Sequence, residues 1–192
     1  MVVKKSPHIV IVAGEDSGDF HGANLAAALR QQLPKIKLSG IGGHKMKDSG
    51  VGLIFPSSRL AVVGITEVIG RLPDIVCGCR AIRKHLKDSQ PDLLVLIDFP
   101  DFNLHLVAPY AKKRKIPIVY YISPQVWAWR QGRVKSINRL VEKILVILPF
   151  EEEFYRCHEV AVEYVGHPLL DEFKNFHPRP RSEKPFIALL PG

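Results

Sequence analysis

Cysteine is scarce in this chain. The three present, Cys77, Cys79 and Cys157, are an odd number without the spacing of a disulfide framework, which points to a reducing compartment. Cys77-Gly78-Cys79 is too tight for a usual zinc pair and reads as small residues on a helix, so no metal is expected. No apolar run reaches the roughly 18 residues a membrane-crossing helix needs. Met1 to Pro7 lack the long apolar stretch and small-residue cleavage site of a secretion signal, and none is expected. Aromatic residues do not interleave with the basic ones, so a base-stacking surface for nucleic acid is not expected either.

What is present suits a globular α/β domain. The chain has 192 residues, 46% hydrophobic and 24% charged, enough for one domain with a full core. Its 27 Lys and Arg exceed its 19 Asp and Glu, a formal charge of +8 that favours phosphate or an anionic surface. The excess is spread over Lys112 to Lys115, Arg130 to Arg139 and Arg179 to Lys184.

Short runs that are apolar throughout alternate with helix-length segments. His8 to Ala13, Lys37 to Ile41, Pro91 to Ile97, Ile116 to Tyr121, Lys143 to Leu148 and Val162 to Val165 read as strands. Residues 18–33, 103–114, 127–142 and 150–158 read as helices, with a short one after Gly42-Gly43. Strands of this kind imply a parallel sheet covered on both faces, a doubly wound Rossmann-like α/β fold. Ligands of such sheets bind beyond the carboxyl ends of the strands, which directs attention to the loops there.

The first loop, Ala13-Gly-Glu-Asp-Ser-Gly-Asp19, sits where a phosphate loop would, but lacks Gly-x-Gly-x-x-Gly. Its acids Glu15, Asp16 and Asp19 repel phosphate and suit sugar hydroxyls, which argues against a nicotinamide dehydrogenase. Asp16 or Ser17 would alternatively cap the following helix. At the second loop, Asp98 ends an apolar strand, where burial would raise its pKa and suit it to act as a general base. Asp101 and Asn103 stand either in the site or as caps of the next helix. The third loop, Tyr121 to Arg130, holds both tryptophans beside Ser123 and Gln125. Trp127 suits a sugar or acyl wall, Trp129 the core, and Arg130 and Arg133 a phosphate. His167, in Gly-His-Pro at 166–168, either acts in the site or fixes a domain junction.

A stripe of Ile65, Val68, Ile69, Leu72, Ile75, Val76, Ile82 and Leu86 is edged by Arg71, Arg80, Arg83 and Lys84, and Pro73 is expected to break it into two helices. It reads either as an ordinary amphipathic pair on the sheet or as a membrane-facing surface. Residues 174–185 are polar, hold three prolines and read as a linker, after which Phe186 to Leu190 resembles a core strand.

Taken in order, Ala-Gly-Glu-Asp-Ser-Gly-Asp (13–19), Gly-Gly-His-Lys-Met (42–46), Leu-Ala-Val-Val-Gly-Ile-Thr-Glu-Val-Ile-Gly (60–70), Ile-Asp-Phe-Pro-Asp-Phe-Asn (97–103), Tyr-Ile-Ser-Pro-Gln-Val-Trp-Ala-Trp-Arg (121–130), Leu-Pro-Phe-Glu (148–151) and Val-Gly-His-Pro-Leu (165–169) resemble the lipid-A-disaccharide synthases. The resemblance implies the N-terminal domain of a two-domain, inverting, B-type (GT-B) glycosyltransferase without cofactor or metal. Such an enzyme moves 2,3-diacylglucosamine from UDP to the 6-hydroxyl of 2,3-diacylglucosamine 1-phosphate, on the cytoplasmic face of the bacterial inner membrane. It implies Asp98 as the base, and Gly14, Glu15, Ser17, Asp19, Asp101, Asn103, Ser123, Gln125, Trp127, Arg130 and His167 as substrate contacts. Val62, Ile65, Val68, Ile69, Leu72 and Ile75 would meet anionic lipid. Phe99 and Gln125 depart from the family's small residues at those places. The expected division is an acceptor and membrane-side domain at 1–173, a linker at 174–185 and the first strand of a UDP-binding domain at 186–192. On that reading the chain is inactive without a separate C-terminal half or another subunit, or is a lipid-binding remnant.

Overall fold

A computed structural model describes residues 6–60, 65–128, 132–173 and 176–177, with residues 65–71 as backbone only. The expected strand at 186–192 and most of the linker lie outside these residues, as do Val62, Trp129 and Arg130.

The strand β1, His8–Ala13, buries all six of its residues, so helices must cover both faces. Ile9, Ile11 and Ala13 join one hydrophobic layer, with Val95, Ile97, Ala23 and Ala26. Val10 and Val12 join the other, with Leu94, Leu96, Tyr120, Ile82 and Leu86. This is the two-residue alternation of a strand in a covered sheet. Each fully buried Val, Leu or Ile stabilises the fold by about 1.5–3 kcal/mol.

The other strands are β2 (Lys37–Gly42), β3 (Gly52–Pro56), β4 (Leu93–Ile97), β5 (Ile118–Tyr121), β6 (Lys143–Val146) and β7 (Val162–Tyr164). All pair parallel, in the order β3-β2-β1-β4-β5-β6-β7. The expected doubly wound sheet is therefore present. The chain steps outward from β1 to β3, then returns to the far side of β1 as β4. The crevice between β1 and β4 is the switch point of the sheet. Ala13 pairs with Ile97, which sets Gly14-Glu15 beside Asp98-Phe99.

Local differences from the sequence reading have physical causes. The strand β3 was not anticipated: it is a short, half-buried edge strand with a register shift at Gly40/Ile41. The helix α1 (Asp16–Gln32) starts after Glu15 with no side-chain cap, so neither Asp16 nor Ser17 caps it. Asp16 and Asp19 instead occupy the first turn, where the helix dipole favours negative charge. After the short α2 (His44–Asp48), α3 runs unbroken from Ile65 to Ser89 with Pro73 inside it. The proline removes one hydrogen bond. Burial of Cys79, Ile82 and Leu86, with an ion pair from Asp74 to Arg59, holds the helix through it. The helix expected over 103–114 begins earlier, as α4 (Pro100–Phe102), widens to a π turn at Asn103–Val107 and continues as α5 (Ala108–Lys113). Pro109 lacks an N–H and crowds the carbonyl four residues back, which the wider turn accommodates. The helices α6 (Arg133–Leu140), α7 (Pro149–Arg156) and α8 (Leu169–Glu172) complete the layers.

Asp19 ties α1 to α2. It is 2% exposed, and its carboxylate accepts hydrogen bonds from the backbone N–H groups of Gly43 (2.6 Å), Lys45 (3.0 Å) and Met46 (3.1 Å). Gly22 lets α2 approach closely: a Cβ there would lie 2.6 Å from Met46 Sδ. Asp19→Ala leaves three N–H groups without their charged acceptor. It should destabilise the chain by about 2–3 kcal/mol, read as a lower urea midpoint at unchanged slope.

Candidate functional site

The crevice at the switch point is built on strained backbone. Asp98 and Phe99, directly after β4, both lie in the left-handed region, with φ of 44° and 48°. Ile122, directly after β5, does so too, with φ of 62°. Such conformations are unfavourable for side chains like Phe and Ile, and persist only where the surroundings enforce them. Here Tyr120 Oη donates to the Asp98 carbonyl at 2.5 Å, and Asn103 Nδ2 donates to the same oxygen at 2.8 Å. The Phe99 ring stacks on Phe102, with centroids 5.3 Å apart, and covers Gly14. Any Cβ at Gly14 would sit 2.1 Å from that ring, so the close approach requires glycine. Asn103, an expected cap or substrate contact, is wholly buried and holds the strand end. It caps no helix: α4 starts after Phe99.

Burial raises the Asp98 carboxyl above the usual aspartate range, and a hydrogen bond from the Phe99 N–H partly offsets this. Glu15, at the rim, is raised by desolvation and then by the Asp98 charge. The two carboxyls therefore face one crevice. Ser17 is exposed near its mouth.

Beside Asp98 opens a cleft of about 440 Å³. Its walls are Asp98, Pro100 and Asp101 after β4, Ile122 to Val126 after β5, Arg133 from α6, and Ile147, Leu148 and Glu151 at the β6–α7 junction. Arg133, with its side chain 15% exposed, pairs with the well-exposed Asp101 carboxylate, so the cleft holds a cation whose partner faces solvent. Ser123, Gln125 and Asp101, three of the expected contacts, thus meet Asp98 in one cleft. The Ser123 hydroxyl donates to the Pro124 carbonyl at 2.9 Å and lies 2.6 Å from Tyr155 Oη. Burial pushes Tyr155 well above the usual tyrosine value, which keeps it a donor.

Glu151 was given no role by the sequence. It is 2% exposed, caps α7 by accepting the Leu148 N–H at 3.1 Å, and lines the cleft. Burial raises its carboxyl, and hydrogen bonding from the Leu148 and Ile147 N–H groups, Trp127 and Ser123 opposes this. The signal for it was an acid two residues after a helix-starting proline, which reads as a cap and hides its place in the wall. Trp127 packs edge-on against the half-exposed Phe150, with centroids 4.9 Å apart. Its buried indole N–H finds no acceptor at hydrogen-bonding geometry.

His167 does not join this cleft. It accepts the Leu169 N–H at 3.3 Å and lines a separate hollow of about 370 Å³ with Tyr121, Leu145 and Leu170. A third hollow, of about 660 Å³, lies at the opposite ends of the strands, between Tyr110, Lys113, Arg114 and Pro91. Of the expected lipid contacts, Leu72 is 56% exposed, while Ile75 packs against the core. Ile65, Val68 and Ile69 lie on α3, their side chains outside the described residues. Among the described residues no helix is long and apolar enough to cross a membrane.

Solved structures with this fold share little sequence with it. MurG of Acinetobacter baumannii superposes with a TM-score of 0.54 at 12% identity, covering 93% of this chain and 48% of that one. The UDP-GlcNAc 2-epimerase of Neisseria meningitidis, solved bound to UDP-GlcNAc, gives 0.53 at 11%, covering 88% and 50%. These likenesses establish the fold, that of one half of a two-domain GT-B protein, and leave the chemistry open. Sequence is more specific. The lipid-A-disaccharide synthase of Syntrophus aciditrophicus is 48% identical over 192 residues, 96% of this chain and 50% of that protein. That of Myxococcus xanthus is 44% identical over 197 residues, 97% and 50%. The chain thus spans about half the length of these curated relatives. The profile of the lipid-A-disaccharide synthetase family matches residues 9–192, and the chain belongs to that family.

Proposed function

We propose that this domain is the acceptor side of lipid A disaccharide synthesis, with Asp98 as the general base. In the transfer, the Asp98 carboxylate takes the proton of the acceptor's 6-hydroxyl as that oxygen attacks C1 of UDP-2,3-diacylglucosamine. The new C1–O6 bond forms on the face opposite the departing UDP, which leaves with the electrons of the C1–O bond and gives the β-1,6 disaccharide. The observation that carries this reading is a half-buried carboxyl, raised by burial, at the switch point of the sheet and opening on a polar cleft.

Around it, Gly14, Glu15, Ser17, Ser123, Gln125 and Trp127 are placed to meet the sugar. Arg133, with Arg130, would meet the acceptor's 1-phosphate in exchange for Asp101. The donor's UDP falls to a C-terminal half, as relatives twice as long imply, so this chain alone should not turn over. Residues 1–173 would then be the acceptor domain and 174–185 the linker. The side chains of Leu72 and Val76, 56% and 40% exposed on α3, favour a peripheral place on anionic lipid at the cytoplasmic face of the inner membrane. The same surface would serve a lipid-binding remnant without activity.

Asp98→Asn should lower turnover by about 10²-fold or more when a C-terminal half is supplied, with folding kept. Disaccharide formation at wild-type rate would remove Asp98 from the base role. The same variant carries a stability signature. A carboxyl raised by folding stabilises the folded state below its unfolded pKa, and that stability is lost as pH rises through its folded value. Asp98→Asn should therefore stabilise the chain at pH 7 by about 0.5–2 kcal/mol. The gain should vanish below about pH 4, where both carboxyls are protonated. Urea melts at the two pH values measure it. Vesicle sedimentation tests the membrane face: the chain should pellet with phosphatidylglycerol vesicles, less at high salt. Absence from the pellet would remove the lipid surface as a partner.

A further inference from the structure

Tyr120 and Asn103 take no part in the transfer as described, yet both are wholly buried directly beneath Asp98. They come from different elements. Tyr120 lies on β5 opposite Leu96 of β4, and Asn103 opens the π turn. Both donate to one acceptor, the main-chain carbonyl of Asp98, at 2.5 and 2.8 Å. A carbonyl oxygen has two lone pairs, and these two donors use both.

That carbonyl belongs to the peptide joining Asp98 to Phe99, the two consecutive residues in the left-handed region. Fixing its oxygen fixes the plane of the peptide, and with it the direction in which the Asp98 side chain leaves the backbone. The Phe99 ring, seated on Gly14, closes the other end of the same turn. Without the two donors nothing along the chain favours φ of 48° at a phenylalanine, and the turn would relax to an ordinary conformation.

We propose that Tyr120 and Asn103 are positioning residues: they lock the Asp98–Phe99 peptide in its left-handed form and so aim the Asp98 carboxyl into the crevice. Burial, and after it the Asp98 charge, pushes Tyr120 well above the usual tyrosine value, so its hydroxyl remains a donor wherever Asp98 titrates. The inference deepens the reading of Asp98 as base and rests on it.

The test is carboxyl-detected NMR titration of this chain as wild type, Tyr120→Phe and Asn103→Ser, with Asp98→Asn to assign the signal. Both positioning variants should let the carboxyl swing toward water. The Asp98 midpoint should then fall toward the ordinary aspartate value. With a C-terminal half supplied, kcat should fall about tenfold or more while KM changes little. An Asp98 midpoint at the wild-type value, with only a lower melting temperature, would assign both residues to packing and overturn the proposal. So would failure of both variants to fold. The midpoint needs no turnover. Full activity of Asp98→Asn would therefore sink the base reading, while a shifted midpoint would still show that the two donors orient the carboxyl.

Discussion

The pairing of β1 with β4 is the contact on which the site depends. A parallel sheet wound outward from β1 in both directions must leave a gap where the direction reverses. The register that sets Ala13 against Ile97 brings two loops, far apart in sequence, to the lip of that gap. One loop supplies Gly14 and Glu15, the other Asp98 and Phe99. The packing of Phe99 on Gly14 needs both loops at this distance and the glycine at this position. Asp19, four residues further along α1, ties that helix to α2 through three backbone N–H groups and steadies the loop from behind.

The site is held at a cost to the fold. Left-handed phenylalanine and isoleucine, a partly desolvated aspartate and a buried glutamate are each unfavourable in isolation. They gather at the carboxyl ends of β4, β5 and β6 and scarcely elsewhere among the described residues in contact with the core. Strain concentrated in this way marks a place kept for chemistry rather than for stability. The hollow at the opposite ends of the strands is larger and carries Lys113 and Arg114, but no raised carboxyl lines it.

Much of the frame was legible in the sequence. Strands buried on both faces announce themselves as unbroken apolar runs, and β1, β4 and β5 did so. Asp98 was legible because an acid closing such a run has few other uses. What escaped depended on neighbours in space. Tyr120 reads as one more apolar residue of a strand until β4 lies beside it. Asn103 reads as a cap until the π turn buries it. Glu151 reads as a helix start until α7 swings it into the cleft wall. The strand β3 was too short and too exposed to give a pattern, and Pro73 overstated a break that burial of Ile82 and Leu86 overrides.

The account stands on the cleft beside Asp98 receiving the acceptor sugar. Amide NMR of this chain, titrated with 2,3-diacylglucosamine 1-phosphate in detergent against detergent alone, tests that most directly. The account expects the signals of Asp98 to Asn103 and of Ile122 to Val126 to move together and saturate, with Tyr110 to Pro117 silent. Saturable movement confined to Tyr110 to Pro117, or none at Asp98, would contradict it.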